Sequence, residues 1–208
     1  MAVTKLRDEL AYLHKEFLRD AKVIDSDRGY ISVSSFNLRM KPSILKAAAK
    51  VIAHEFQNDH IDIIHGIPHS GNYLATAVAL ELPHAVFLHT SRKDQQIPTS
   101  WKDIFREEIR SFTTGNETMS VYSGINLSFV QKGDRVLILD DVCATGETGH
   151  RIVSGLINRG VNVVGFAVLF DKVFQGGLDS IARLGIKVFS CVRVESIRKH
   201  DQVSLLPI

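Results

Sequence analysis

Residues 136–148 read VLILDDVCATGET, and this stretch predicts how the chain folds. Its four apolar residues are typical of a buried strand, and they lead directly into Asp140 and Asp141. Two adjacent carboxylates repel each other and are unfavourable to desolvate, so we expect a cation or a ligand with hydroxyl groups to offset them. The small polar residues that follow precede a predicted helix, whose N-terminus attracts anions. An acid pair beside a phosphate cradle fits a sugar phosphate.

Apolar runs alternate with helical patterns along most of the chain. Strands are predicted at 61–67, 84–90, 135–142, 161–172 and 186–194, and helices at 41–56, 71–82, 146–160 and 176–185. Because the strands are nearly continuous apolar runs, we expect an α/β fold, with a mainly parallel twisted sheet covered by helices on both faces. Ligands bind beyond the carboxyl ends of such strands, which here are followed by residues 66–71, 140–148 and 171–177.

The remaining segments predict additions to this sheet within a single domain over residues 1–208. Apolar residues at helical spacing predict an N-terminal amphipathic helix, namely Leu6, Leu10, Leu13 and Phe17. Residues 29–38 favour an extended segment, and residues 91–108 are too polar and irregular for a core. Two extended arms are expected at 109–114 and 118–124. We therefore predict an N-terminal helix and hood over residues 1–40 and a flexible lid with a hairpin over residues 91–120.

Composition narrows the class of protein. The 208 residues are 45% hydrophobic and carry a formal net charge of +2, which does not indicate a nucleic-acid partner. The two cysteines, Cys143 and Cys191, are far apart and form no disulfide framework or zinc spacing. There is no signal-peptide core at the start and no run of about 20 apolar residues that could span a membrane. We expect a soluble, cytoplasmic protein.

The stretch at 136–148 resembles the signature of type I phosphoribosyltransferases, which use 5-phosphoribosyl-1-pyrophosphate (PRPP). The resemblance implies that Asp140 and Asp141 hold the ribose hydroxyl groups at the catalytic centre. It also implies a loop that binds the 5-phosphate, comprising Cys143, Ala144, Thr145, Gly146, Glu147 and Thr148. Glu147 departs from the glycine that is common in the family. The alternative is an ordinary strand-to-helix turn with exposed acids.

Residues 66–75, GIPHSGNYLA, resemble the family's short loop that receives pyrophosphate. The resemblance assigns this role to His69, Ser70 and Gly71, whereas the alternative is a plain helix start capped by Ser70. In the family a flexible loop closes over the reacting centre, and an Arg-Lys pair at its base approaches the pyrophosphate. Arg92 and Lys93 match that pair, and the alternative for them is a solvated surface loop.

Residues 170–177, FDKVFQGG, resemble the E-K-S-F-Q-P-G segment of xanthine phosphoribosyltransferases, with Asp171 for Glu and Val173 for Ser. The resemblance implies that Lys172 contacts a purine oxo group, since an ammonium only donates hydrogen bonds. Phe174 could then lie against the base plane. Residues 33–42, VSSFNLRMKP, resemble the hood of the same group and assign base contacts to Phe36 and Asn37. For residues 170–177 the alternative is a helix-capping loop whose lysine extends along the surface.

The resemblance as a whole implies transfer of the phosphoribosyl group from PRPP to a nucleobase, with xanthine as the first candidate. Mg²⁺ is the expected cofactor, held mainly through PRPP rather than by dedicated protein ligands. A homodimer is implied, for which the apolar face of the N-terminal helix offers a surface. Adenine or orotate as the base, or a PRPP-binding regulator without catalysis, are the alternatives. No general base is identified.

Overall fold

The structure of the chain is a computed structural model, which describes residues 2–82, 87–90, 104–110, 120–126, 130–200 and 202–208. The helices are α1 (Ala2–Asp20), α2 (Ser34–Asn37), α3 (Pro42–Glu55), α4 (Ser70–Glu81), α5 (Glu147–Asn158) and α6 (Gly177–Ala182). The strands are β1 (Lys22–Asp25), β2 (Tyr30–Ser32), β3 (Ile63–Gly66), β4 (Phe87–Thr90), β5 (Ile104–Arg110), β6 (Ser120–Asn126), β7 (Arg135–Cys143), β8 (Asn162–Lys172), β9 (Lys187–Arg198) and β10 (Gln202–Leu205). The predicted alternation of strands and helices is confirmed.

Among the described residues, six strands form one sheet in the order β10-β9-β8-β7-β3-β4. The five strands from β9 to β4 are parallel, and β10 pairs with β9 in the antiparallel direction at one edge. Two antiparallel pairs, β1 with β2 and β5 with β6, stand outside this sheet. The mainly parallel sheet of the sequence prediction is therefore confirmed.

Strand β7 shows why both faces of the sheet are covered. Successive side chains of a strand alternate between faces, and in β7 the two sets enter different cores. Leu137 and Leu139 pack in a core with α1, α3 and α4. Val136 and Ile138 pack in a second core with α5 and α6. All four side chains are fully buried, which explains why the strand is a continuous apolar run instead of an alternating one.

Helix α1 packs with its apolar face against the body of the protein. Leu13 and Phe17 on its apolar face are fully buried in the same core as α3. The expectation that this face serves subunit pairing is therefore wrong, because α3 of the same chain already covers the apolar face of α1. The predicted amphipathic helix itself is confirmed.

The extended segment predicted at 29–38 is correct only for β2, because a one-turn helix, α2, follows it. The turn depends on a partner far away in sequence: the carboxylate of Asp20 accepts a hydrogen bond from the Ser35 N–H at 2.7 Å. Fully buried Phe36 adds a hydrophobic contact from the middle of the turn. The local β propensity of residues 29–38 is overridden here by a tertiary contact with Asp20, which lies outside that segment.

Two further differences concern strands. Strand β5 begins at Ile104, inside the stretch expected to be irregular, and pairs with β6 from Ile104 opposite Asn126 to Arg110 opposite Ser120. Its sequence, IFREEIR, has too many charges for an apolar run, so its pairing with β6 rather than its own pattern makes it a strand. Strand β10 was not predicted, and it too exists through pairing with its neighbour, β9.

Candidate active site

The two acids of β7 lie where one of its neighbours has ended. Strand β3 pairs with β7 only as far as Gly66 opposite Leu139, whereas β8 continues beside β7 to Asp171 opposite Cys143. Asp140 and Asp141 therefore lie past the carboxyl end of β3, at the edge of the sheet where the parallel strands end. Both are partly buried, and the Asp141 N–H donates to Oδ1 of Asp140 at 2.9 Å. Strand β7 itself ends two residues later, at Cys143, so the acids lie near its carboxyl end, and their role as site residues stays a prediction.

The start of α4 packs directly on this acid pair. A Cβ atom on Gly71 would lie 2.7 Å from the Leu139 carbonyl oxygen and 3.2 Å from Oδ1 of Asp140. Gly66 makes a similar approach, since its Cβ would lie 2.7 Å from Oδ1 of Asn72. Glycine at 71 lets the start of α4 reach β7, and glycine at 66 lets the end of β3 approach Asn72 of the same helix, so the N–H groups of a helix start come next to Asp140.

His69 and Ser70 occupy different surroundings at that helix start. His69 precedes α4 and is exposed, after a cis peptide bond from Pro68. Ser70 is partly buried, and its hydroxyl donates to the Asn37 carbonyl at 2.9 Å. Ser70 therefore does not act as a side-chain cap of α4, and its hydroxyl joins the loop to the hood.

The loop between β7 and α5 forms the second wall of the edge. Gly146 has φ of +77° and occupies the cap position of α5, where the described residues provide no side-chain cap. The first N–H groups of a helix have no acceptor within the helix, so this turn presents donors beside the acids. Thr145 is exposed, while Ala144 and Thr148 are partly buried. This geometry suits an anion such as a phosphate.

The side chains of Cys143 and Glu147 turn away from such an anion. Cys143 is buried in the core below α5, and burial together with the nearby charge of Asp140 raises the pKa of its thiol. Only the backbone of Cys143 could therefore contribute to the loop. Glu147 forms an ion pair with Arg151 at 2.9 Å, one turn along α5, so its carboxylate follows the helix surface.

Two glycines hold the loop after β8 against the loop between β7 and α5. The Gly177 N–H donates to the Ala144 carbonyl at 3.1 Å, and a Cβ on Gly146 would lie 2.5 Å from the Gly177 carbonyl oxygen. A Cβ on Gly177 would overlap Ala144 and the Gly146 nitrogen. Residues 172–177 are therefore held beside residues 144–146.

Lys172 is buried under the hood rather than exposed in this loop. Its Nζ donates to the Gly29 carbonyl at 2.9 Å and lies 6.0 Å from the centre of the Tyr30 ring. Burial lowers the pKa of Lys172. The surface-lysine alternative is wrong, because the side chain connects the loop to the turn between β1 and β2. Phe174 remains 42% exposed, so its ring is accessible.

Phe36 is not accessible, and the prediction that its ring contacts a base is corrected here. The side chain is fully buried, and its ring packs edge-on against Phe17 at 5.2 Å and Phe170 at 6.2 Å between centroids. These contacts join α2, α1 and β8. The ring attaches the hood to the body of the protein, and a planar ligand could not reach it.

Two side-chain amides near the proposed base site each have a buried oxygen for which the described residues provide no hydrogen-bond partner. They are Oδ1 of Asn37, which the sequence assigned to the base, and Oε1 of Gln175, which it did not. Buried acceptors without a donor call for an explanation, and a ligand N–H would provide one. Gln175 matches the glutamine of the E-K-S-F-Q-P-G segment that residues 170–177 resemble. That match was the signal from which sequence reasoning could have identified it as a site residue.

Asp171 is the other residue that sequence reasoning left without a role. It is 2% exposed, and burial raises the pKa of its carboxyl group, while the Arg193 guanidinium at 3.7 Å offsets part of that effect. The carboxylate thus lies inside the fold, on the strand that carries Lys172. Arg92 and Lys93 lie outside the described residues.

The described residues show neither a metal cluster nor a membrane helix. Nowhere in these ranges do three or more His, Cys, Asp or Glu side chains gather as metal ligands. In the same part of the chain, no helix combines the length and the apolar character needed to cross a membrane. The carboxylates of Asp140 and Asp141 are hard oxygen groups, which is the type that Mg²⁺ accepts in proteins.

Comparison with known proteins gives consistent relatives. The family model described as "Phosphoribosyl transferase domain" matches residues 36–207. A xanthine phosphoribosyltransferase of Bacillus licheniformis is 32% identical over 168 residues, covering 80% of this chain and 84% of that protein. One from Stutzerimonas stutzeri is 30% identical over 184 residues, covering 88% and 93%.

Solved structures agree in fold. An adenine phosphoribosyltransferase of Rhodothermus marinus matches with a TM-score of 0.67 at 21% identity, covering 88% of this chain and 99% of that one. The Trypanosoma brucei enzyme, in complex with AMP, pyrophosphate and ribose-5-phosphate, matches with a TM-score of 0.70 at 19% identity, covering 91% and 83%. At these identities the likeness concerns the fold alone.

Proposed function

This chain belongs to the phosphoribosyl transferase domain family, and from that premise we propose that it transfers the phosphoribosyl group of PRPP to an oxo-purine, with xanthine as the first candidate. The observation that carries the proposal is the close approach of Gly71 to Asp140. It brings the start of α4 to the acid pair, on the edge where the start of α5 also lies. Two helix starts beside two carboxylates suit a sugar that carries a phosphate at one position and a pyrophosphate at another.

Each part of PRPP has a counterpart in this arrangement. The ribose hydroxyl groups would donate to Asp140 and Asp141, and the 5-phosphate would accept from the backbone of residues 144–148. The pyrophosphate would accept from the start of α4, next to His69, Ser70 and Gly71, with Arg92 and Lys93 as additional cations. Charge complementarity supports this orientation, because phosphates meet donors and hydroxyl groups meet carboxylates.

The reaction breaks the bond from C1 to the pyrophosphate oxygen, and the electron pair leaves on pyrophosphate. A ring nitrogen of the base bonds to C1 and loses its proton. Positive charge develops on the ribose in between, and the partly buried carboxylates of Asp140 and Asp141 would stabilise it. Donors at the start of α4 would stabilise the growing negative charge on the leaving group.

Mg²⁺ is the proposed cofactor. It would be held mainly through PRPP and water, as suits this ion, with the carboxylates of Asp140 and Asp141 nearby as hard oxygen groups. When bound, it supplies neutralisation of phosphate charge. Chelation with EDTA should stop pyrophosphate release, and added Mg²⁺ should restore it, whereas release that persists in EDTA would contradict a role for the ion.

The loop after β8 supports an oxo-purine. Lys172 carries only donors and would meet a carbonyl oxygen of the base. Phe174 offers an accessible ring, and Asn37 and Gln175 offer buried acceptors for base N–H groups. An exocyclic amine, as in adenine, would oppose the ammonium with another donor, so these residues favour a base with oxo groups.

The test is pyrophosphate release from PRPP and Mg²⁺ with xanthine, guanine, hypoxanthine, adenine or orotate. We expect xanthine to give the highest kcat/KM. Turnover of adenine or orotate alone would overturn the base assignment while leaving the transferase in place. PRPP binding without pyrophosphate release from any base would instead indicate a regulator that keeps the site without catalysis.

We also propose a single cytoplasmic domain, with the hood at residues 1–40 and the lid at 91–120, that pairs as a homodimer. Both cysteines are free buried thiols, which suits a reducing compartment. Large apolar side chains on α4 and β4 are exposed, including Leu80 at 82% and Phe87 at 80%, and a second copy would cover them. Light scattering should give the dimer mass, and Leu80→Asp should lower it towards that of a monomer.

A further inference from the structure

One hydrogen bond joins the base side of the proposed site to the pyrophosphate side. The Ser70 hydroxyl donates to the Asn37 carbonyl at 2.9 Å, across 33 positions of sequence. Ser70 is the first residue of α4, and Asn37 is the last residue of α2. The bond is partly buried, so it connects the two segments with limited competition from water.

Each partner of this bond stands next to a group of the proposed site. On one side, Gly71 follows Ser70 and lies against Asp140 and the Leu139 carbonyl. On the other, the amide of Asn37 has its buried Oδ1 without a partner among the described residues. A displacement of the α4 start by pyrophosphate would therefore be carried by the Ser70 hydroxyl to the residue that bears the base acceptor.

The part of α2 that precedes Asn37 is fixed independently. Asp20 accepts from the Ser35 N–H at 2.7 Å, and Phe36 is enclosed by Phe17 and Phe170. With its beginning held to α1 and β8, the short helix can move mainly at its last residue. The Ser70 hydroxyl acts at that end, so its loss should change the position of the Asn37 amide more than the overall attachment of the hood.

We propose that Ser70 is a positioning residue whose hydroxyl couples the binding of pyrophosphate to the binding of the base. The inference rests on the proposed function, because it requires pyrophosphate at the start of α4 and a base at Asn37. Coupling between two binding sites is reciprocal, so pyrophosphate should tighten the base by the same factor by which the base tightens pyrophosphate. The backbone N–H groups of the loop would keep their own role as anion donors.

The coupling factor is measured by calorimetry as the Kd of xanthine without and with saturating magnesium pyrophosphate, a pair that cannot react. Ser70→Thr keeps the hydroxyl and adds a methyl group, and Ser70→Val has nearly the shape of that threonine with a methyl group in place of the hydroxyl. We expect the wild type and Ser70→Thr to show tightening of about fivefold or more, the lower range of typical coupling. In Ser70→Val the factor should fall by about twofold or more, towards a value of about one, because loss of one hydrogen bond removes about 0.5–1.5 kcal/mol.

Thr76→Val is the matched control. The Thr76 hydroxyl also donates to a backbone carbonyl, that of Asn72 at 2.9 Å, but it lies further along α4 and is exposed. Its removal makes the same chemical change without touching the hood, so the coupling factor should stay at the wild-type value. An equal fall in both valine variants would mean that any lost hydroxyl on α4 has this effect and would overturn the proposal.

The outcomes separate this inference from the function on which it rests. If the wild type releases pyrophosphate from PRPP but Ser70→Val keeps its full coupling factor, the inference fails and the transferase stands. Absence of coupling in an active wild type has the same meaning. If no base gives pyrophosphate release, the proposed function fails. Ser70→Thr keeps the proposal falsifiable should the valine variant not fold, because the inference requires Thr to retain coupling that Ser70→Ala loses.

Discussion

Gly146 and Gly177 touch through their backbones, with the Gly177 carbonyl oxygen 2.5 Å from where a Cβ on Gly146 would lie. The contact holds the loop before α5 against the start of α6. Because residues 144–148 are proposed to bind the phosphate and residues 172–175 the base, this contact sets the spacing between the two ligand groups. A side chain at either glycine would separate them.

Gly146→Ala should destabilise the protein and weaken PRPP binding together. A left-handed φ costs a non-glycine residue about 1–2 kcal/mol, and overlap with backbone adds about 1–3 kcal/mol. Gly185→Ala is the matched control, since Gly185 has φ of +82° and open space around its Cβ position. Denaturant titration should give a larger loss of unfolding free energy for Gly146→Ala, and equal losses would show that the contact with Gly177 has no role.

Asp140→Asn and Asp141→Asn should each weaken PRPP binding in Mg²⁺ by about 10- to 150-fold. The estimate corresponds to one hydrogen bond to a charged group, about 1.5–3 kcal/mol. Asp8→Asn, at an exposed position of α1, makes the same change of charge away from the site. Calorimetry should leave that control at the wild-type affinity. Affinities within twofold for both acid variants would remove the basis of the proposed ribose site.

Phe36→Ala should lower the stability of the protein, whereas Phe174→Ala should weaken binding of the base. Phe36 is fully buried among aromatic rings, so its truncation should lower the unfolding free energy by about 3–5 kcal/mol. Phe174 is 42% exposed, so its truncation should change stability little but raise the KM for the base by about 2- to 12-fold through lost stacking. Denaturant titration and steady-state kinetics on both variants check this. A base KM that rises without loss of stability in Phe36→Ala would restore that ring to the base site.

Lys172→Met should change base selectivity more than any other property. Loss of a charged donor to an oxo group should lower kcat/KM for xanthine by about 10- to 150-fold, with a smaller loss for adenine. Lys187→Met is the control, because Lys187 also donates to a backbone carbonyl, that of Glu55 at 2.6 Å, on the surface. Kinetics with the two bases should show an unchanged ratio for this control. An unchanged ratio for Lys172→Met would leave the lysine with only its bond to Gly29.

Cys143 and Cys191 should resist thiol reagents in the folded protein and reduce its stability in alkali. Burial raises the pKa of both thiols, so the folded state keeps protons that the unfolded chain releases above its ordinary pKa of about 8.5. Their contribution is therefore complete below about pH 8.5 and falls by about 1.4 kcal/mol per pH unit and per thiol above it.

Denaturant titrations of the wild type and Cys191→Ala should be compared from pH 7 to about 10.5. The wild type should lose unfolding free energy relative to Cys191→Ala by about 1.4 kcal/mol for each pH unit above about 8.5. Rapid labelling of the native protein by a thiol reagent at neutral pH would contradict the buried positions. Labelling confined to Cys143 would indicate a reactive thiol at that position.

Sequence reasoning was most successful where one segment contains the whole signal. The apolar run before Asp140 predicted a buried strand, and β7 buries residues on both faces. It was least successful where a segment depends on a distant partner. Phe36 looks like an accessible aromatic residue within 33–42, but Phe17 and Phe170 enclose it from other parts of the chain. The same holds for α2, whose turn depends on Asp20.

The amino-acid sequence by itself determined the order of strands and helices from α3 to β9 in the main sheet, the family signature at Asp140 and the glycine-rich turns. It could do so because hydrophobic periodicity and backbone freedom act over a few neighbouring residues. Only the tertiary structure decided which side chains are accessible and which are joined. Lys172 meets Gly29, Ser70 meets Asn37 and Gly146 meets Gly177 across long stretches of chain. Such contacts arise when packing of the two cores brings the loops to one edge of the sheet, and no local pattern contains that information.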